Sequence, residues 1–114
     1  MKQGEIWLIN LDPAIGAEIK KTRPGVIVSH DSLGKLPLRV IVPLTEWKDR
    51  FSISPWMVKI EPDEKNGLDK TSSLDCFQVR SLSEDRFVRK VGEINHFISN
   101  EIKNALAKVL AIEL

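Results

Sequence analysis

The sequence predicts a mainly β fold, a small barrel of short strands with one C-terminal α-helix. Three observations carry that reading. Short apolar runs rich in β-branched residues recur through the first ninety or so residues, each bounded by turn chemistry. The apolar period changes to steps of three and four only beyond residue 97. The chain has 114 residues, and single cores usually need on the order of 100–150, so one domain spanning 1–114 is expected.

The elements follow in order. Residues 5–11 are an apolar stretch ending at Asp12-Pro13, where proline stops a ladder. A long polar loop, 12–22, contains Gly16. The second strand is 25–29, Gly-Val-Ile-Val-Ser, and Asp31-Ser32-Leu33-Gly34 reads as a turn. The third, 38–44, has Val-Ile-Val at its centre and predicts burial on both faces. Residues 46–55 form a second polar loop. Trp56, Val58 and Ile60 then alternate with Met57, Lys59 and Glu61, a half-buried strand. The segment 62–70 holds Asn66-Gly67, a strong turn signal. Strands are expected at 73–82 and 87–94, separated by Ser83-Glu84-Asp85. Ile98, Ile102, Ala105, Leu106, Val109 and Leu110 then mark the inner face of an amphipathic helix, with Ser99 as the expected N-cap.

Composition narrows the class. The chain is 42% hydrophobic and 29% charged, as in ordinary globular domains. A lone cysteine, Cys76, makes neither an intramolecular disulfide nor a cysteine-rich zinc site. No apolar run exceeds four residues, which predicts no membrane span. Met1-Lys2-Gln3-Gly4 leads straight into a strand pattern and does not read as a signal peptide, so the expected location is the cytoplasm. Seventeen Lys and Arg against sixteen Asp and Glu give a net charge of +1, which argues against a strongly cationic nucleic-acid protein. Two local basic clusters stand out, Lys20-Lys21-Thr22-Arg23 and Arg86-Phe87-Val88-Arg89-Lys90. A short basic cluster in a near-neutral chain commonly forms a solvated face.

No Walker loop, G-x-G-x-x-G, H-E-x-x-H or G-x-S-x-G is present, and no His/Cys group has metal spacing. No metal or cofactor is expected. The unusual segment is the loop from Gly16 to Pro24, with Glu18, Lys20, Lys21 and Arg23 within six residues just before a strand. Pro24 restricts Arg23 to extended backbone, so a stiff element aims its side chain. Metal-free RNA cleavage needs this inventory. A base takes the 2′-OH proton, an acid protonates the departing 5′-oxygen, and cations hold the charge on phosphorus. Arginine suits the last role through its bidentate fork. The same residues also read as a surface loop with a Glu18–lysine salt bridge.

Several segments together resemble the MazF/PemK family of toxins from type II toxin–antitoxin pairs. They are Gly4-Glu5-Ile6-Trp7, Leu11-Asp12-Pro13, Gly16-Ala17-Glu18 and Thr22-Arg23-Pro24-Gly25-Val26-Ile27-Val28-Ser29. The similarity continues through Val40-Ile41-Val42-Pro43-Leu44-Thr45, the 73–82 stretch with its Gln78-Val79-Arg80, and the terminal helix. It spans nearly the whole chain and is loose only over 46–70.

The resemblance implies an SH3-like barrel, a homodimer, and a metal-independent endoribonuclease that cleaves single-stranded RNA and is inhibited by a cognate antitoxin. Arg23 matches the family's catalytic arginine and Thr45 its catalytic threonine. A guanidinium holds its proton very tightly, which makes proton donation by Arg23 difficult and favours charge stabilisation at the phosphate. Glu18 matches an acidic loop position and is the third candidate, as base. One branch of the family has an acid between the cysteine and the glutamine. Here Phe77 stands between Cys76 and Gln78, so a mechanism through that acid is closed to this chain.

Lys20, Lys21, Trp47, Gln78 and Arg80 are the RNA-binding candidates. Trp47 either stacks an unpaired base, worth roughly 1–3 kcal/mol, or folds onto the barrel rim. Gln78 and Arg80 either contact RNA or pair with neighbouring strands. Trp7 and Trp56 read as packing residues, Cys76 as a small buried hydrophobe, and His30 as a hydrogen-bonded structural histidine. The rival function is a non-enzymatic toxin of the same barrel type, like the gyrase-binding CcdB toxins, because fold alone does not separate the two.

Overall fold

The computed structural model describes residues 1–113. Its strands are β1 (Glu5–Asn10), β2 (Thr22–Ile27), β3 (Leu38–Glu46), β4 (Met57–Ile60), β5 (Ser72–Asp75), β6 (Arg80–Ser83) and β7 (Phe87–Glu93), followed by helix α1 (His96–Val109). All pairings are antiparallel, in the order β4-β5-β3-β2-β1-β7, with β6 also on β3. β3 is long enough to serve two partners along one edge. β6 pairs with Leu38 to Ile41, and β5 with Leu44 to Glu46. No helix among the described residues is long and apolar enough to cross a membrane.

The sheet is barrel-like but its ladder does not close, since β4 and β7 are not hydrogen-bonded to each other. The 62–70 loop reaches β7 instead. The Glu93 N–H donates to the Lys65 carbonyl at 2.9 Å. Two glycines permit that approach: a Cβ on Gly92 would overlap the Lys65–Asn66 backbone, and one on Gly67 would overlap the Val91 carbonyl. Asn66, fully buried, knits the loop by donating to the Glu61 carbonyl at 2.8 Å and accepting from the Leu68 N–H at 3.0 Å.

Several expected boundaries differ: β2 starts at Thr22 rather than Gly25, so Arg23 and Pro24 lie in the strand and not in the loop before it, and β3 runs on to Glu46. Two further differences have a visible local cause. The 73–82 stretch is two strands, broken by a 3-10 turn over Cys76–Gln78. The carboxylate of Asp75 accepts from the Phe77 N–H at 3.2 Å and from the Gln78 side chain at 3.2 Å. That local bonding competes with the ladder. The helix starts earlier than the apolar period indicates, because Asn95 and not Ser99 is its N-cap, accepting from the Ile98 N–H at 2.8 Å.

Alternation along the strands builds a core on both sides of the sheet. Ile6, Val26, Val42, Leu44, Val58, Ile60, Leu74 and Cys76 pack with Ile98, Ile102 and Ala105 of α1. Ile9, Leu11, Ile27, Ile41 and Leu82 form the second cluster, with Trp7 and Phe87 against it. Burial pushes the Cys76 thiol up to about 12, helped by neighbouring Asp75, which keeps it neutral and unreactive. His30 caps the short turn Asp31–Leu33, its Nδ1 accepting from the Ser32 N–H at 3.1 Å.

Candidate active site

The site begins where β2 and β3 part. Their ladder pairs Ile27 with Ile41, Val26 with Val42 and Gly25 with Pro43. Extended in register, it sets Pro24 opposite Leu44 and Arg23 opposite Thr45. The Val28 N–H donates to the Val40 carbonyl at 2.9 Å, so alternation makes 26/42 and 24/44 the positions that exchange hydrogen bonds. Pro24 has no N–H to give. The ladder therefore ends at Gly25, and the two strands diverge with Arg23 and Thr45 at their open ends. On its other edge β2 remains anchored, Arg23 pairing with Ile9 of β1.

A cleft of about 270 Å³ occupies the divergence. Its apolar lining comes from Leu8, Pro24, Leu44, Leu68 and Val91. Arg23, Thr45, Glu46, Asp69, Lys70 and Arg89 supply its polar groups. Arg23 is half-buried, and its Nε makes a long bond of 3.4 Å to the Lys20 carbonyl. No carboxylate pairs with its guanidinium among the described residues, leaving the terminal amino groups available to an anion. Thr45 is held in the β3–β5 ladder opposite Ser73, which fixes its hydroxyl on a strand and not on a loop.

The other sequence candidates lie elsewhere. Glu18, Gln78 and Arg80 line a separate cleft of about 470 Å³ with Ala17, Phe77 and Val79. The Glu18 carboxylate closes its own loop, accepting from the Ile15 N–H at 2.7 Å. The Glu18–lysine salt bridge is not formed among the described residues. Gln78 ties that loop to the 3-10 turn. It accepts from the Ile19 N–H at 2.6 Å and donates to the Ala17 carbonyl at 3.3 Å and to Asp75. Burial raises the Asp75 pKa, opposed by hydrogen bonds from the Phe77 and Gln78 amides and the Gln78 side chain. Arg80 is half-buried on β6 opposite Ile41.

Lys20 and Lys21 are exposed outside the Arg23 cleft. Lys21 takes the left-handed conformation at φ 72° and its N–H donates to Asp12 at 2.9 Å, which turns the loop into β2. Trp47 lies against Phe51 at 5.9 Å between ring centroids, with the Lys59 ammonium 5.1 Å from its own centroid. Its ring is half-buried, outside the residues that line the Arg23 cleft.

Asp69, Lys70 and Glu46 were not singled out by sequence reasoning, and Arg89 was noted only as part of a basic cluster. They come from three separate segments and share no motif. The signal was in the pairing: Leu8 lies opposite both Pro24 and Arg89, so β1 sets those two side chains in one row on one face of the sheet.

Comparison with known proteins covers nearly the whole chain. Residues 2–110 match the family model described as PemK-like, MazF-like toxin of type II toxin–antitoxin system. Endoribonuclease MazF9 of Mycobacterium tuberculosis is 31% identical over 101 residues, covering 83% of each chain. Endoribonuclease PemK of Escherichia coli is 30% identical over 112 residues, 96% of this chain and 82% of that one. Among solved structures, MazF from Deinococcus radiodurans superposes with a TM-score of 0.81 at 21% identity, covering 97% and 96% of the two chains. A mycobacterial endoribonuclease in complex with its cognate antitoxin gives 0.79 at 21% identity, covering 100% and 98%. The fold, the family model and the sequence relatives agree, and this chain belongs to the PemK-like, MazF-like toxins of type II toxin–antitoxin systems.

Proposed function

We propose that this protein is a metal-independent endoribonuclease that cleaves single-stranded RNA in the cytoplasm and is inhibited by a cognate antitoxin. The observation that carries this reading is the joint placement of Arg23 and Thr45 in one cleft formed where Pro24 ends the β2–β3 ladder. The scissile phosphate lies between the Arg23 guanidinium and the Thr45 hydroxyl. The 2′-oxygen attacks phosphorus, the bond from phosphorus to the 5′-oxygen breaks, and a 2′,3′-cyclic phosphate and a 5′-hydroxyl result. Arg23 holds the charge that grows on the non-bridging oxygens, and Thr45 donates a hydrogen bond to one of them. The 2′-OH proton goes to a carboxylate of the same cleft, Glu46 or Asp69, and the departing 5′-oxygen takes its proton from water, while Glu18 in the second cleft shapes the 12–21 loop. Both clefts then form the RNA path, with Lys20, Lys21, Gln78 and Arg80 along its second half and Trp47 at its border.

A second copy of the chain completes the path. Ile15, Ile53 and Phe77 are 81%, 88% and 63% exposed on or beside the loops that border it, more apolar surface than those loops need for a monomer. The antitoxin covers Arg23 and Thr45 when bound. The test uses a short RNA in excess chelator. Cleavage is expected, and it stops when the nucleotide before the cut lacks its 2′-OH. Cleavage of that deoxy substrate, or an intact RNA with DNA gyrase arrested instead, overturns the proposal.

A further inference from the structure

We propose that Arg89, with Lys70 beside it, is a second phosphate-binding group in this cleft and holds the phosphate next to the one that is cut. The inference rests on the RNA-cleaving reading above and adds residues to it.

Three observations support it. Arg89 and Lys70 line the same cleft as Arg23 and Thr45, although they belong to β7 and to the loop before β5. Across β1, Leu8 pairs with Pro24 on one side and with Arg89 on the other. The row Pro24–Leu8–Arg89 therefore runs over one face, with two strand spacings, about 10 Å, from β2 to β7. Arg23 directly precedes Pro24 on β2 and lines the same cleft, so one nucleotide on the apolar lining of Leu8, Leu68 and Val91 spans from the β2 end, with Arg23, to Arg89 on β7. The third observation is that Arg89 and Lys70 stay free for an anion, as several other exposed cations do, whereas three nearby or comparable ones are engaged. Lys90 pairs with Glu93 at 2.9 Å and with Glu5 at 3.3 Å, and Arg39 pairs with Glu84 at 2.8 Å. Arg86 donates to the Asp12 carbonyl and, at 3.2 Å, to the Asn10 carbonyl. Neither Arg89 nor Lys70 forms an ion pair among the described residues.

Glu46 and Asp69 oppose three cations there, so the cleft is only weakly positive and needs each cation to be correctly placed. A guanidinium on a strand meets that need better than one on a loop. Arg89 projects from a ladder anchored to β1, and its fork matches two phosphate oxygens.

The experiment measures cleavage of a short single-stranded RNA in excess chelator by wild type, Arg89→Ala and Arg89→Lys. Arg89→Ala is expected to raise KM about tenfold with kcat within about threefold. The dependence of log KM on log salt becomes shallower by about 0.7, the value for one lost phosphate contact on a single strand. Arg89→Lys keeps the salt slope and recovers part of the affinity. A substrate with a neutral methylphosphonate at the adjacent linkage raises KM for wild type and leaves Arg89→Ala unchanged, which a merely structural role would not produce. An unchanged KM and slope in Arg89→Ala, with wild type active, overturns this inference alone. An inactive wild type overturns the nuclease reading and this inference with it.

Discussion

Pro24 does two things at once. As the residue after Arg23 it keeps that arginine extended, and as a residue without an N–H it ends the β2–β3 ladder. Replacing it by alanine supplies the missing donor opposite Leu44, so the ladder extends and Arg23 moves relative to Thr45. Pro24→Ala is expected to slow cleavage on the order of tenfold or more, with its new amide protected in hydrogen exchange; an exposed amide and an unchanged rate would count against this origin of the cleft. Glu5 makes a different prediction. Burial pushes its pKa up, but hydrogen bonds from the Trp7 indole, the Lys2 amide and Lys90 outweigh this and hold it at about 2, below its ordinary 4.5. A carboxylate with a depressed folded pKa stabilises fully above its ordinary value and loses that contribution as pH falls from 4.5 toward 2. Unfolding curves of wild type and Glu5→Gln should differ near neutrality and converge toward pH 2. Parallel curves across that range would contradict the assignment.

At the scale of elements, the residues most readable from the sequence were those whose neighbours in the chain decide their structure. The β-branched runs at 25–28 and 40–42 form the central strands, and the steps of Ile98, Ile102 and Ala105 form the buried helix face. Two of the misplaced boundaries have one cause. A side chain that bonds its own backbone leaves no trace in apolar periodicity, so Asp75 hid a break in an apparent strand and Asn95 hid the first helical turn. His96 and Phe97 in that turn are exposed, and the apolar period therefore starts late. Asn95→Ala is expected to cost about 1 kcal/mol, lowering the unfolding midpoint by roughly 4–6 °C for a domain of this size. Ser99→Ala should change it little. Equal effects of the two would return the cap to Ser99.

Over the whole molecule, closure depends on backbone fitting against backbone. A small barrel was expected, and the sheet is barrel-like, yet its seam is made by the 62–70 loop lying on β7 rather than by a strand pair. Gly92→Ala puts a methyl group into the Lys65–Asn66 backbone and is expected to destabilise by about 1–3 kcal/mol, read by denaturant unfolding. The same loop delivers Asp69 and Lys70 to the cleft, so that variant should also raise KM. Arg23 and Thr45 could be picked out because both lie in recognisable segments, whereas Arg89, Lys70 and Asp69 reach the cleft only through the sheet order. The charge balance of +1 fits a protein that holds RNA by a few placed cations and not by a broad basic surface. The most direct measurement is the single-turnover rate of RNA cleavage in excess chelator, wild type against Arg23→Ala, with both proteins shown to unfold at the same temperature. A 10²–10³-fold loss is predicted from removing the charge that stabilises the phosphorus centre, and an undiminished rate in Arg23→Ala would contradict the account.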